Sequence, residues 1–154
     1  NCEKIIDEIF KTSKQHACSI IFPIDVQVGK NLDSISKAKE LNEIEEDDLI
    51  LDIGPKTISI IKKVIENSET VLWNGPAGYF ENPNFANGSY EIANAIIKKN
   101  RNNSIYSVVG GGDTVAFLNS INIVNNFNFV STAGGAFLEY LEGKKLPGIT
   151  ALNQ

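Results

Sequence analysis

Histidine, cysteine and long apolar runs are scarce in this chain, and each shortage closes off a class of function. His16 is the sole histidine in 154 residues. A zinc centre built on several histidines is excluded, as is a catalytic triad with any histidine base other than His16 itself. His16 closes the first predicted helix, where a cation complements the C-terminal dipole. Cys2 and Cys18 are the only two cysteines. They lack metal-type spacing and fit a reducing, cytoplasmic compartment. Cys18, close to Ile20 and Ile21, reads as a small buried apolar residue. No apolar run reaches membrane-span length, and no signal-peptide pattern opens the sequence. The chain holds 14 basic and 19 acidic residues, a net charge of −5. That balance argues against a nucleic-acid groove or an anionic membrane surface as partner. A phosphate held locally by backbone N–H groups stays compatible with it.

What remains is ordinary for one globular domain: 42% apolar and 21% charged residues. The spacing predicts a helix over residues 3–16, with Ile5, Ile6, Ile9 and Phe10 on one face. Ser19 to Phe22 reads as a short strand ended by Pro23. Residues 29–48 read as a polar surface segment. Its acidic run (Glu43, Glu45, Glu46, Asp47, Asp48) lacks the ligand spacing of a calcium loop. From Leu49 onward, strands and helices alternate. Strands are predicted at 49–53, 70–73, 105–109 and 127–130. The intervening helices carry Ile58, Ile61, Val64 and Ile65, then Ile92, Ala93, Ala95 and Ile96, then Phe117, Leu118 and Ile121 as inward positions. A short helix over 136–142 and an extended tail over 143–154 complete the chain. Trp73 reads as core.

Glycine is placed where it can act. Ser104 to Leu118 runs strand, Gly110-Gly111-Gly112, then helix, with Asp113 able to cap the helix start. Free N–H groups and a helix dipole pointing the same way favour an anion. The pattern is neither G-x-G-x-x-G nor a Walker A loop. Glycines also follow other strands, at Gly75/Gly78, Gly134/Gly135 and Gly54. Strand–helix alternation implies an α/β fold, a parallel sheet flanked by helices (Rossmann-like), with strand carboxyl ends along one edge. Ligands bind along that edge in such sheets. Several glycine turns there predict a site for a nucleotide-sized anion.

Five stretches, Leu51-Asp-Ile-Gly-Pro-Lys-Thr57, Trp73 to Glu81, Val109-Gly-Gly-Gly-Asp-Thr114, Val130 to Ala136 and Leu141 to Gly148, together resemble the phosphoglycerate kinase family. The resemblance implies an incomplete C-terminal nucleotide-binding domain over 1–154 of a two-domain kinase. The N-terminal substrate domain and the first part of the nucleotide domain would be absent. It implies reversible phosphoryl transfer in glycolysis from 1,3-bisphosphoglycerate to ADP, giving 3-phosphoglycerate and ATP, in a cytoplasmic, monomeric parent with no nucleic-acid or membrane partner. By the same resemblance Ile50 and Leu51 lie near adenine, Asn74, Gly75 and Pro76 line the phosphate side, and Glu81 accepts from the ribose. Asp113 meets the Mg2+ bound with ATP or ADP, and Thr114 bonds near the β-phosphate. Ser131 and Thr132 belong to the hinge between domains. Gly111, Gly112 and Gly135 offer N–H groups to the transferring oxygens, with Gly112 and Gly135 as the catalytic pair. Such chemistry needs alignment and charge neutralisation rather than a base. The chain departs from the family pattern at Ala133 and Ile50, both often glycine, and at Ala77 and Tyr79. The competing reading is a non-catalytic nucleotide-binding module. The segment alone is expected to be inactive.

Overall fold

A computed structural model describes residues 2–152. Six helices and six strands follow in the order α1 (Cys2–Gln15), β1 (Asp25–Gly29), β2 (Lys37–Glu40), β3 (Leu49–Ile53), α2 (Pro55–Glu66), β4 (Thr70–Asn74), α3 (Asn87–Asn100), β5 (Tyr106–Gly110), α4 (Gly112–Ser120), β6 (Phe129–Ser131), α5 (Gly134–Leu141) and α6 (Pro147–Leu152). The strands form two sheets. One is parallel, in the order β4-β5-β6. The other is antiparallel, in the order β2-β1-β3.

The parallel sheet follows from its sequence. Each strand is short and largely apolar; β4 and β5 each lead through glycine-bearing turns into a helix that returns the chain for the next parallel strand, and β6 leads into α5. The core lies against this sheet. Phe117, Ile96, Leu118 and Val109 are fully buried, and Trp73 sits edge-on to Phe117 with ring centroids 6.2 Å apart. Phe80, from the loop after β4, also meets Phe117 edge-on at 5.6 Å. An offset or edge contact of this kind adds about 0.5–1.5 kcal/mol beyond area burial.

Several expectations change. The strand over Leu49 to Ile53 forms, but pairs antiparallel with β1, so Gly54 lies off the parallel sheet's edge. Residues 29–48 contain β2 and a 3-10 turn over Leu41–Glu43. Within that segment Asp48 is not solvated: its side chain is 2% exposed and pairs with Lys39 at 2.6 Å. Lys30 reaches Asp48 and Asp47 as well, and both ammonium groups occupy the space between the carboxylates. Residues 19–22 are not a strand, because a strand needs a ladder partner and none pairs with them among the described residues. Cys18 is exposed. The apolar face of α1 is only partly covered: Phe10 meets Phe22 with ring centroids 5.8 Å apart, and Ile5, Ile6, Ile9 and Phe10 remain between 38% and 58% exposed. Val64, expected inward, is 43% exposed. The tail is helical over Pro147–Leu152, where Pro147 opens the helix with its fixed φ. The last two residues of the expected extended tail lie outside the described residues.

Two buried carboxylates, hidden in apolar contexts, tie the antiparallel sheet to helices. Asp25, 3% exposed, accepts from the Lys56 and Thr57 amides at 2.8 Å and from Thr57 Oγ1 at 2.7 Å. It caps α2 from a distant strand, because Gly54 at the cap position has no side chain to do so. A Cβ on Gly54 would collide with that carboxylate. Burial pushes the Asp25 carboxyl up. The Thr57 side chain, the Lys56 and Thr57 amides and the Lys56 charge outweigh burial and hold it below its ordinary value.

Asp25→Ala should therefore destabilise the fold by about 2–4 kcal/mol in urea denaturation, the cost of orphaned amides at a buried helix start. A group with a lowered folded value contributes stability above the unfolded value and loses it as pH falls. The gap between the wild type and the variant should shrink as pH drops through and below 3.8, the ordinary carboxyl value. A gap that stays constant in acid would contradict the capping role.

Candidate nucleotide-phosphate site

Three chain segments meet at the carboxyl edge of the parallel sheet. The ladder pairs Asn74 with Gly110 and Gly110 with Ser131, so β4, β5 and β6 end side by side. From these ends the chain enters the 75–81 loop, the start of α4 and the start of α5.

The Gly75 peptide is held on both sides. Its N–H donates to Thr114 Oγ1 at 2.8 Å, and its carbonyl accepts from Trp73 Nε1 at 2.7 Å. Gly75 has φ +100°, which a side chain would strain. Gly111, at φ +94°, donates to the Ser131 carbonyl at 3.1 Å. A Cβ on Gly111 would stand 2.7 Å from Asn74 Oδ1, and one on Gly134 would stand 2.7 Å from the Gly111 Cα. Asn74 Nδ2 donates to the Gly134 carbonyl at 3.4 Å. Gly111 and Gly134 are thus packed backbone to backbone, with the Asn74 side chain filling the space beside them.

In front of this packing the surface is open. A Cβ on Gly75, Gly112 or Gly135 would meet nothing within 4 Å. Neither α4 nor α5 has a side-chain cap. The first-turn amides of each helix have no intrahelical acceptor by geometry. Gly112, Asp113, Gly135 and Ala136 sit in those first turns, so two helix starts with bare amides and favourable dipoles share one edge. Asp113 is not the cap; Gly111 takes that position, and Asp113 is exposed two residues further in. Among the described residues it takes part in none of the ion pairs. Thr114 is fully buried behind the glycine surface, and its Oγ1 already accepts from Gly75. Ala133 stands at φ −80°, so a side chain there is tolerated where the family pattern often has glycine.

A second feature adjoins the first. A cavity of about 410 Å3 is lined by Ile50, Leu51, Asp52, Pro76, Gly78 and Tyr79, among others. Tyr79 N–H donates to the Leu51 carbonyl at 2.7 Å, and Ala77 N–H donates to Ser89 Oγ at 2.8 Å. The loop that begins at the glycine edge therefore ends as one wall of an apolar cavity. Glu81, exposed, lies two residues past that wall. The structure brings Asn74, Gly75, Gly111, Gly112, Asp113, Thr114 and Gly135 to the edge. It brings Ile50 and Leu51 to the cavity, and with them Pro76, which the family resemblance put on the phosphate side. Sequence reasoning missed Ser89 and Asp52. Ser89 gave no signal beyond being a small residue in a helix. Asp52 gave one, as the lone charge in the apolar strand Leu-Ile-Leu-Asp-Ile.

Fold and site together define an α/β protein: a parallel sheet flanked by helices, with two uncapped helix starts gathered at one edge. The chain belongs to the phosphoglycerate kinase family, whose model matches residues 1–144. The phosphoglycerate kinase of Azorhizobium caulinodans is 41% identical over 149 residues, covering 96% of this chain and 38% of the relative. That of Buchnera aphidicola from Acyrthosiphon pisum is 44% identical over 151 residues, covering 96% and 38%. The solved phosphoglycerate kinase of Coxiella burnetii superposes with a TM-score of 0.86 at 37% identity, covering 98% of this chain and 38% of that one. The Pyrococcus horikoshii enzyme gives 0.74 at 27% identity, covering 99% and 39%. The chain spans about 38% of the length of these relatives.

Two glycine substitutions one residue apart should behave oppositely. Gly111→Ala forces a side chain into a positive φ and against Asn74, and should cost about 1–3 kcal/mol in urea denaturation. Gly112→Ala, in a helix turn with open space, should be neutral or stabilise by up to about 1 kcal/mol. Equal effects would show that the backbone packing described at Asn74 is not formed.

Proposed function

We propose that this chain is the later part of the C-terminal nucleotide-binding domain of a two-domain phosphoglycerate kinase. In the parent, a phosphoryl group passes reversibly between 1,3-bisphosphoglycerate and ADP. The observation that carries the reading is the single loop, 75–81, that joins an anion-favouring glycine edge to an apolar cavity. A nucleotide has that same polarity, an apolar base at one end and polyphosphate at the other. Ile50, Leu51 and Pro76 would contact the base, and Glu81 would accept from the ribose hydroxyls. Asn74 and Gly75 would set the backbone around the phosphates.

Transfer of a phosphoryl group between an acyl phosphate and a nucleotide is an in-line displacement. The protein must align donor and acceptor and stabilise charge on the moving oxygens. The amides of Gly111, Gly112 and Gly135 are the groups for this, with Gly112 and Gly135 nearest the transfer. Gly111 has less freedom, since its N–H already donates to Ser131. A preorganised donor of this kind is worth on the order of 3 kcal/mol in a dry site. Thr114, buried behind the glycine surface, acts on the phosphates by fixing the Gly75 amide.

The residues present fit Mg2+ carried with ADP or ATP. Asp113 is an exposed carboxylate without an ion-pair partner, in the first turn of α4 beside the open Gly112. Bound with nucleotide, Mg2+ would neutralise phosphate charge; one carboxylate suffices when phosphates and water fill the other positions. The triose phosphate would be held by the remaining length of the parent, which we read as a cytoplasmic monomer acting in glycolysis. A non-catalytic nucleotide-binding module has no specific observation in its favour.

In the complete kinase, Asp113→Ala should lower kcat by on the order of 10²–10³ fold in a coupled transfer assay. The isolated 154-residue segment should give no turnover in the same assay. Full activity of the variant would remove Asp113 from the mechanism; robust turnover by the segment would refute the partial-site reading.

A further inference from the structure

Asp52 is the one charged residue of β3 and is 3% exposed. Its Oδ2 accepts from the Gly88 amide at 2.7 Å, at the start of α3. Its Oδ1 accepts from the Ile53 amide at 2.8 Å. No cation pairs with it among the described residues. Burial pushes its carboxyl up, against the pull of the Gly88 and Ile53 amides. An unpaired buried carboxylate is costly, so its placement calls for a reason beyond packing.

The reason lies in what presses on it. A Cβ on Gly78 would stand 2.5 Å from the Asp52 Cγ and Oδ1 and from the Phe85 carbonyl oxygen, so the 76–79 loop lies tightly against this carboxylate and against the turn that precedes α3. A Cβ on Gly88 would collide with the same oxygen from the α3 side. The neighbouring bonds act on the same loop: Leu51 accepts from Tyr79, and Ser89, next to Gly88, accepts from Ala77. Asp52 thus meets β3, the loop and the first turn of α3 at one point. It also lines the cavity together with Ile50, Leu51, Pro76 and Tyr79.

We propose that Asp52 is a positioning residue for nucleotide: it sets the floor of the base cavity by fixing the 76–79 loop over Ile50 and Leu51, and so governs affinity for the base rather than the transfer step. This rests on the nucleotide reading above. The glycine edge is fixed separately, through Asn74, Thr114 and Trp73, none of which touches Asp52 by hydrogen bond. Base affinity and polyphosphate affinity should therefore separate when Asp52 is changed.

The experiment compares the complete kinase with Asp52→Asn and Gly78→Ala, measuring steady-state kinetics and calorimetric binding of ADP and of inorganic tripolyphosphate. Asparagine keeps the shape but turns an N–H2 toward one of two amide donors. Alanine at 78 presses from the loop side on that carboxylate and on the Phe85 carbonyl, and so displaces the loop itself. Each variant should raise KM and Kd for ADP by about 10-fold or more. The kcat, the KM for 3-phosphoglycerate and the Kd for tripolyphosphate should stay within about 2-fold. If Asp52→Asn fails to fold, Gly78→Ala alone decides. Variants that lose thermal stability but bind ADP as the wild type does overturn the proposal. Equal weakening of ADP and tripolyphosphate also overturns it. A wild type that binds neither probe overturns the nucleotide reading itself, and this proposal with it.

Discussion

The site depends on the Gly75 peptide being fastened at both ends. Its N–H is taken by Thr114 of α4 and its carbonyl by the Trp73 indole. Both partners are buried, one at 0% and the other at 7% exposure, so neither bond competes with bulk water. Net, each such bond contributes about 1 kcal/mol, but an orphaned partner would cost more. The consequence is geometric. The loop leaving β4 is fixed to the helix leaving β5, and that helix is fixed to β6 by the Gly111–Ser131 bond. Three loops that would otherwise move independently form one surface.

This arrangement explains a division of labour among the small residues. Gly111 and Gly134 face inward, where Asn74 and neighbouring backbone leave no room for a side chain. Gly75, Gly112 and Gly135 face outward into open space. The inward pair builds the edge, and the outward set leaves amides accessible. Asn74 is polar for the same reason: its amide reaches the Gly134 carbonyl across the packed glycines. The buried acids Asp25 and Asp52 extend the logic to the antiparallel sheet, where each meets a helix start from a strand.

Much of the parallel half was legible in the sequence. The strands at 70–73 and 105–109 and the helices after Gly54-Pro55 and from about Ser89 carry periodicity and turn chemistry that agree with one another, and they form within a residue or two of those bounds. The glycine edge was legible for the same reason: a strand, glycines and a helix start determine their own local geometry. The antiparallel sheet was not, because nothing within Leu49 to Ile53 states the direction of its partner. Ser19 to Phe22 has strand composition, but composition supplies no ladder. The apolar stripe of α1 likewise states that a face should be buried without naming what buries it. Asp48 misled because a run of acids looks solvated until Lys30 and Lys39, distant in sequence, are placed against it. The roles of Asp52 and Ser89 depend on contacts 36 and 12 residues away, beyond any local pattern.

The account turns on one shared anion surface, and amide chemical shifts observe it directly. The measurement is a titration of the 15N-labelled protein with Mg-ADP, following the backbone signals of Gly75, Gly112, Asp113, Gly135 and Ala136. These should shift together along one binding curve, while Lys63 on α2 and Asn103 beyond α3 stay still. Signals from the three loops that follow separate curves, or do not respond while nucleotide binds, would contradict the account.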